Sequence, residues 1–156
     1  MPAHYYGRVQ IRRATQADGP AYLELVLALA KFEKLEPPDE AGRQRLLDHA
    51  FGDDPLYDLW VATVDEGIVA YAVTFETYST FRALPSLYLE DLFVHPDARR
   101  RGIARAILAT LRAHAQARGC GRFEWTVLDW NTDAQQLYTE FGAKLLEDWR
   151  ICRVTL

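Results

Sequence analysis

Cysteine is scarce in this sequence, because Cys120 and Cys152 are the only thiols among 156 residues. Two cysteines cannot form a disulfide framework or a four-cysteine zinc site. Both stand among apolar neighbours, a setting typical of reduced residues in a protein core. We therefore expect a cytoplasmic protein.

Long apolar runs are also missing. The longest extends from about Tyr22 to Ala30, is interrupted by Glu24 and is too short to cross a bilayer. The chain does not open with the charged, apolar and small-residue regions of a signal peptide. The sequence therefore predicts no membrane partner.

Basic residues are fewer than acidic ones: the chain has 18 lysines and arginines against 22 aspartates and glutamates, which gives a formal net charge of −4. A strongly basic total would have indicated a nucleic-acid-binding protein, so we expect no nucleic-acid partner. The acidic surface weakly favours cationic partners. His4, His49, His95 and His114 lack the spacing of metal ligands, and we expect no metal.

No repeat, low-complexity tract or linker divides the chain. Its length suits one domain with one core, and a hydrophobic content of 49% is ordinary for a globular protein. The sequence therefore predicts a single domain over residues 1–156.

The apolar periodicity predicts strands that alternate with helices. The strands are expected at residues 8–14, 59–64, 68–78, 86–94, 122–128 and 149–156. The first helix is expected after a cap at Thr15 or Asp18 and should stop at Pro37 and Pro38, and others should cover roughly 40–51, 100–119 and 132–141. This order indicates an α/β or α+β sheet with at least one parallel crossover around the helix 100–119.

Three consecutive arginines, Arg99 to Arg101, lie between a buried type of strand and an amphipathic helix. The first N–H groups of a helix have no partner inside it and attract anions. Gly102 would let a ligand approach the backbone closely, and Ala104 keeps the next turn small. The arginines would add charge-assisted hydrogen bonds to phosphate oxygens.

The alternative for these arginines is a solvated charge run, which would be the simpler interpretation of an arbitrary RRRG segment. The strand before it and the helix after it favour an anion site instead. The loop matches neither the Walker A pattern nor GxGxxG, so the sequence does not indicate nucleotide hydrolysis or Rossmann binding.

The segment VHPDARRRGIARAIL, residues 94–108, resembles motif A of the GNAT superfamily of acetyl-CoA-dependent N-acetyltransferases. The motif's Arg/Gln-x-x-Gly-x-Gly/Ala core corresponds to Arg99, Gly102 and Ala104. Further segments resemble the diamine acetyltransferase group, which comprises the spermidine/spermine and thialysine N-acetyltransferases: IRRATQAD, LALAKFEKLE, YLEDLFV, LDWNTDAQQLY and FGAKLL.

The resemblance implies the GNAT fold, an α+β fold with a mixed, mostly antiparallel sheet and helices on both faces. Two neighbouring parallel strands, ending near Val94 and Leu128, would splay apart. It also implies an acetyl-CoA site. The pantetheine arm would pair with Leu92, Phe93 and Val94, and the pyrophosphate would rest on Arg100, Arg101, Gly102, Ile103, Ala104 and Arg105 beside Arg99. Asn131 would cap the helix that follows it and contact the cofactor arm; the alternative is the cap alone.

The implied reaction is direct attack of a primary amine on the thioester in a ternary complex. The amine arrives as an ammonium with a pKa of ~10 and must lose a proton first. By resemblance, Tyr138 donates a proton to the leaving thiolate, and Glu90 contacts the amine and relays its proton. The alternatives are that Tyr138 only packs its helix against the sheet and that Glu90 and Asp91 are ordinary strand-end carboxylates.

The resemblance places Phe32, Glu33, Glu90 and Glu147 around the amine. The segment Ser79 to Phe81 favours small lysine-like substrates, thialysine among them, over polyamines such as spermidine, which remain the alternative. A non-catalytic acetyl-CoA-binding module is a further alternative, against which Tyr138 and Glu90 argue. The resembled group also implies a homodimer.

Overall fold

The computed structural model describes residues 8–156. The chain divides into two compact units, one ending at Trp125 and the other extending from Thr126 to Leu156. The strands are β1 (Val9–Arg13), β2 (Asp58–Val64), β3 (Gly67–Ser79), β4 (Leu84–Val94) and β5 (Arg122–Trp125), and the helices are α1 (Gly19–Glu33), α2 (Glu40–Phe51), α3 (Ile103–Ala117) and α4 (Thr132–Phe141).

The five strands form one sheet in the order β1-β2-β3-β4-β5. Neighbouring strands are antiparallel except β4 and β5, which are parallel and are connected through α3. A parallel pair needs such a crossover, because its strands run in the same direction. The structure confirms the mixed, mostly antiparallel sheet and the single parallel pair near the arginine loop.

One face of the sheet packs against α1. Val61, Tyr71 and Phe93 lie opposite one another on adjacent strands and therefore share this face. They form one buried cluster with Tyr22 and Leu25 of α1, and side chains of α2 pack around it. The helix presents Tyr22 and Leu25 because residues three apart lie on the same side of a helix.

The opposite face packs against α3, whose apolar stripe is the one that the sequence predicted. Ile103, Ile107, Leu108, Leu111 and Ala115 are all buried. The imidazole of α3 residue His114 also meets the indole of Trp60 on β2, with ring centroids 5.0 Å apart. Helices therefore cover both faces, as expected.

A β-bulge interrupts the pairing of β3 with β4. Val73 lies opposite Asp91, whereas the next residue, Thr74, lies opposite Leu89, so that Glu90 is an extra residue on β4. Such a bulge reverses the alternation of side chains between the faces. Asp91 therefore shares its face with Val73 and Phe93, and Leu89 belongs to the α3 face.

Two predicted strands differ from the structure. The strand expected over 122–128 ends at Trp125, and residues 149–156, also expected to be a strand, have no regular structure and are exposed. A strand needs a neighbour for its backbone hydrogen bonds, and within the described residues 8–156 no strand pairs with residues 126–128 or 149–156. Cys152 is consequently exposed rather than in the core, and Cys120 is only partly buried.

The first helix also ends earlier than expected. It stops at Glu33, before Pro37, because Lys34 adopts a left-handed conformation with φ of 58°. Within residues 8–156, no helix has the length and apolar character needed to span a bilayer. In the same range, no three histidine, cysteine or acidic side chains cluster closely enough to hold a metal ion. His4 lies outside the described residues.

Candidate active site

The C-terminal half of β4 has one paired edge and one open edge. Its pairing with β5 ends at Leu89 and Trp125, whereas its pairing with β3 continues to Val94. From residue 90 to residue 94, no strand of the described chain covers the side of β4 that faces away from β3. An extended ligand could pair with this edge, which is where the family resemblance places the pantetheine arm. Of the backbone groups in this segment, Val94 O already accepts a hydrogen bond from Arg99 Nε.

The loop after β4 turns sharply into α3. Gly102 is the N-cap residue with φ of 74°, and the first helical backbone bond inside α3 runs from Ala106 N to Gly102 O. The N–H groups of Ile103, Ala104 and Arg105 therefore have no acceptor within the helix. A Cβ atom added at Gly102 would meet no protein atom within 4 Å. The turn thus exposes backbone donors that a phosphate could reach closely.

Arg100 also has a left-handed backbone, with φ of 60°. A non-glycine residue in this region costs roughly 1–2 kcal/mol, and such strain tends to occur where a loop clamps a ligand. The side chains of Arg100, Arg101 and Arg105 are exposed around the turn. The predicted anion site is therefore one continuous piece of backbone surrounded by guanidinium groups.

Arg99 uses its side chain differently. Its Nε donates a hydrogen bond to Val94 O at 3.1 Å. Its guanidinium carbon lies 4.9 Å from the ring centroid of Phe32 on α1 and 5.5 Å from that of Phe93 on β4. Such cation–π contacts hold the loop against the C-terminal end of α1. Arg99 thus connects the anion site to the α1 face of the sheet.

Acidic side chains gather on the α1 side of the open edge. The pKa of Asp91 is raised to about 6, mainly by burial, with a smaller contribution from the nearby charges of Glu90 and Glu33, although a hydrogen bond from Tyr71 lowers it. Burial also raises the pKa of Glu33, which ends α1. The structure thus brings two of the predicted substrate residues, Glu33 and Glu90, to the vicinity of one partly buried carboxylate.

Hydroxyl groups line the inner side of this acidic cluster. Tyr71 Oη donates to Asp91 Oδ2 at 3.0 Å. Tyr57 Oη donates its proton to Leu46 O at 2.6 Å. Tyr22 Oη lies 3.1 Å from Tyr57 Oη and is the donor in that pair, because the proton of Tyr57 is already used. Burial raises the pKa of all three tyrosines, and the charge of Asp91 adds to the effect. These phenols therefore stay neutral hydrogen-bond donors.

The second unit carries the remaining predicted residues. Asn131 caps α4, because its Oδ1 accepts a hydrogen bond from Ala134 N at 3.2 Å, as the sequence predicted. Tyr138 lies two turns into the same helix and is partly buried. Glu147 is exposed beyond the end of the helix. Their roles at the site stay predictions.

The sequence did not identify Asp91 or Tyr71 as site residues. The adjacent pair Glu90 and Asp91 indicated only that the two carboxylates would point to opposite faces. The bulge at Glu90 decides which of the two carboxylates lies among apolar residues, and no pattern in the sequence predicts this bulge. Tyr71 reads as an ordinary core residue of a buried strand.

A cavity of about 380 Å³ lies elsewhere in the first unit. Arg13, Asp58, Glu76, His114 and Arg118 are among its lining residues. Its charges already pair with one another, since Arg13 binds Asp58 and Arg118 binds Glu76. The cavity therefore presents few unsatisfied groups to a ligand.

Known proteins resemble this chain in sequence. A sequence model of the acetyltransferase (GNAT) family matches residues 23–143. A thialysine N-epsilon-acetyltransferase from Bos taurus is 33% identical over 156 residues, which cover 93% of this chain and 91% of that protein. An L-ornithine N5-acetyltransferase from Arabidopsis thaliana is 35% identical over 119 residues, which cover 76% of this chain and 47% of that protein.

The fold matches known structures as well. A ribosomal-protein-alanine N-acetyltransferase from Brucella melitensis superposes with a TM-score of 0.75 at 21% identity, covering 96% of this chain and 100% of that one. At such low identity the likeness concerns the fold alone.

Replacement of Gly102 by alanine should weaken coenzyme A binding about tenfold or more, equivalent to ~1.4 kcal/mol, because the new methyl group would occupy the space next to the helix N–H donors. Isothermal titration calorimetry with coenzyme A measures this affinity.

Gly119→Ala is the matched control, since Gly119 follows α3 with φ of 72° and a Cβ there would also meet nothing within 4 Å. Both variants should lose a similar ~1–2 kcal/mol of stability from backbone strain. Equal affinities of the two variants for coenzyme A would contradict the anion site at Gly102.

Proposed function

Because the chain belongs to the acetyltransferase (GNAT) family, we propose that this N-acetyltransferase acetylates the primary amine of a small lysine-like or diamine substrate, with thialysine-like amines favoured. The acceptor class rests on the relatives named for thialysine and ornithine acetylation. The single observation that supports it best is the acidic cluster of Glu33, Glu90 and Asp91 beside the open edge of β4. Carboxylates at such a position attract and orient a cationic amine.

The cosubstrate that we propose is acetyl-CoA, which supplies the acetyl group as a thioester. The backbone from Arg100 to Arg105 would hold its pyrophosphate, since Gly102 leaves open space in front of the free N–H groups of α3. Leu92, Phe93 and Val94 would hold the pantetheine arm along their open backbone edge. Asn131, which caps α4, is the proposed further contact to this arm.

Phe32, Glu33, Glu90 and Glu147 are the residues that we propose for the amine. Phe32 is fixed beside Glu33 at the end of α1 by the guanidinium of Arg99. The partial burial of Glu33 lowers the effective dielectric around its charge, which strengthens its attraction for an ammonium group. Glu147 belongs to the second unit and is included on the family resemblance alone.

Tyr138 is the proposed proton donor to the leaving thiolate. A phenol has an ordinary pKa of ~10, so that it carries its proton at neutral pH and can deliver it in the transition state. Its position on α4, seven residues after the Asn131 cap, is fixed by the helix.

The tip of the hairpin between β3 and β4 gives less support to substrate selection than expected. Ser79 is buried, and its Oγ accepts a hydrogen bond from Arg82 N at 3.3 Å. This hydroxyl therefore serves the turn, whereas Phe81 at the tip is fully exposed. The preference for thialysine-like amines over spermidine consequently rests on the relatives rather than on Ser79.

We further propose a cytoplasmic homodimer in which residues 1–156 form one acetyltransferase domain. The family match over residues 23–143 spans the junction at Trp125, which supports the single domain. No residue from 126 to 156 is buried. Apolar side chains at the end of the chain are therefore left for a second copy to cover: Trp149, Ile151, Val154 and Leu156.

Comparison of kcat/KM across thialysine, lysine, ornithine, spermidine and putrescine tests the proposed acceptor. Thialysine should give the highest value, because relatives that match about nine tenths of this chain are named for its acetylation. The release of free thiol from acetyl-CoA provides the measurement. A tenfold advantage for spermidine would overturn the preference, and no turnover with any of these amines would overturn the function.

Tyr138→Phe should reduce kcat by ~10²–10⁴-fold, the usual contribution of a general acid, and leave the affinity for acetyl-CoA unchanged. Tyr88→Phe is the matched control, because Tyr88 lies where β4 is still paired with β5 and its ring packs against Phe75. If Tyr138→Phe turned over as fast as this control in a chemistry-limited assay, the assignment would be wrong.

Light scattering at micromolar concentration should give the mass of two chains. The double variant Ile151→Glu and Val154→Glu should give the mass of one, because charge would replace the apolar contact. Thr155→Glu, which adds the same charge at a polar position, should remain dimeric. A monomeric mass for the unaltered protein would refute the dimer.

A further inference from the structure

Asp91 carries a carboxylate into the hydrophobic side of β4. Its cross-strand partner Val73 and its face neighbour Phe93 belong to the core that α1 covers. Burial of an ionisable group in such surroundings disfavours its charged form and costs folding free energy. The bulge at Glu90 is what turns Asp91 to this face. A feature that lowers stability in this way calls for a functional explanation.

One partner holds Asp91 in a fixed orientation. Tyr71 lies on the adjacent strand β3 and donates its phenolic proton to Asp91 Oδ2 at 3.0 Å. Tyr71 is itself fully buried, and its ring meets that of Tyr22 with centroids 5.1 Å apart in an edge-on arrangement. The packing fixes the phenol, and the phenol fixes the carboxylate.

The groups around Asp91 are acidic or neutral. Tyr22 and Glu33 face it from α1, Tyr57 from the start of β2, Tyr71 from β3 and Glu90 from β4 itself. Among the described residues Asp91 forms no salt bridge, and the guanidinium of Arg99 lies over the ring of Phe93. These surroundings attract a positively charged ligand and provide no buried ion pair for the carboxylate.

Asp91 also lies on the open part of β4. The last residue of β4 that pairs with β5 is Leu89, and the proposed pantetheine contact begins at Leu92. The backbone of Asp91 is therefore placed between the end of the parallel pair and the segment that would carry the acetyl donor. The residue is only partly buried and keeps some contact with solvent.

We propose that Asp91, positioned by Tyr71, is the base that takes the proton from the substrate's ammonium group; this inference rests on the proposed function. An N–H bond of the ammonium breaks and its electron pair stays on nitrogen. The proton bonds to Oδ1 of Asp91, the oxygen that Tyr71 does not occupy. The neutral amine can then attack the thioester, and Asp91 returns its proton to water when the product leaves.

The acidity of Asp91 suits this task better than that of an ordinary carboxyl. A general base is most effective when its pKa lies near the working pH, and burial raises the pKa of Asp91 to about 6. Glu90, by contrast, is exposed at the bulge. In this arrangement Glu90 attracts the amine electrostatically, and Asp91 accepts the proton.

The pH dependence of kcat/KM for the amine tests the proposal through three variants of the full chain. The unaltered enzyme should lose activity below a pH of about 6, as Asp91 becomes protonated. Asp91→Asn should lower kcat/KM by ~10²-fold or more at pH 8 and remove this acid limb, with unchanged affinity for acetyl-CoA. Its amide oxygen can still accept the hydrogen bond from Tyr71.

Tyr71→Phe and Glu90→Gln should shift the acid limb in opposite directions. The phenol lowers the pKa of Asp91 by bonding its ionised form, so Tyr71→Phe should move the limb to higher pH. The charge of Glu90 raises the pKa of Asp91, so Glu90→Gln should move the limb to lower pH. A merely structural role of these residues would change rates without these opposite shifts.

Thermal unfolding across the same pH range provides a readout that does not depend on activity. The pKa of Asp91 is raised in the folded state, so its ionisation lowers stability as pH rises through about 6. Asp91→Asn removes this penalty. The Tm of the variant should therefore be at least that of the unaltered protein above pH 6, and the difference should shrink toward pH 4.

Different results would overturn the proposed function and the role of Asp91. No turnover by the unaltered enzyme with any amine would overturn the proposed function and this role together. An active enzyme whose acid limb persists in Asp91→Asn but disappears in Glu90→Gln would overturn only the role of Asp91 and identify Glu90 as the base. A large drop in the Tm of Asp91→Asn above pH 6 would also count against the buried, ionisable carboxylate.

Discussion

The site depends on the unequal pairing of β4. One edge of this strand is bonded to β3 along its whole length, whereas the other is bonded to β5 only as far as Leu89. The continuous pairing fixes residues 90–94 in an extended conformation, and the missing pairing leaves their outer backbone groups available. The same strand can therefore be a rigid part of the sheet and a template for an extended ligand.

The register of β3 with β4 also places the bulge at Glu90. This bulge separates two adjacent carboxylates into an exposed one, Glu90, and one that lies against the core, Asp91, whose pKa is raised by burial. Burying Asp91 lowers stability, and the core around Tyr22, Val61 and Tyr71 must compensate for it. Proteins commonly retain such unfavourable groups where catalysis needs them.

The site contains charges of both signs. Three consecutive arginines, Arg99 to Arg101, lie in the turn after β4, and the acids Glu33 and Glu90 interact with Asp91. An anionic cosubstrate and a cationic acceptor would each meet the complementary sign. Arg99 contacts both Val94 and Phe32. The net charge of the chain does not reveal this local separation of positive and negative side chains.

The sequence by itself determined most of the helices and strands and the turn at Gly102, because these are local: the α3 stripe from Ile103 to Ala115, the Asn131 cap and the glycine at 102 depend on neighbours a few residues away. The resemblance supplied the family. Only the tertiary structure decided that β5 stops at Trp125, that residues 149–156 form no strand with the described chain, and that Asp91 rather than Glu90 lies against the core beside Tyr71. Each of these depends on the register between strands distant in sequence, and a shift of one residue there exchanges the faces of every side chain that follows.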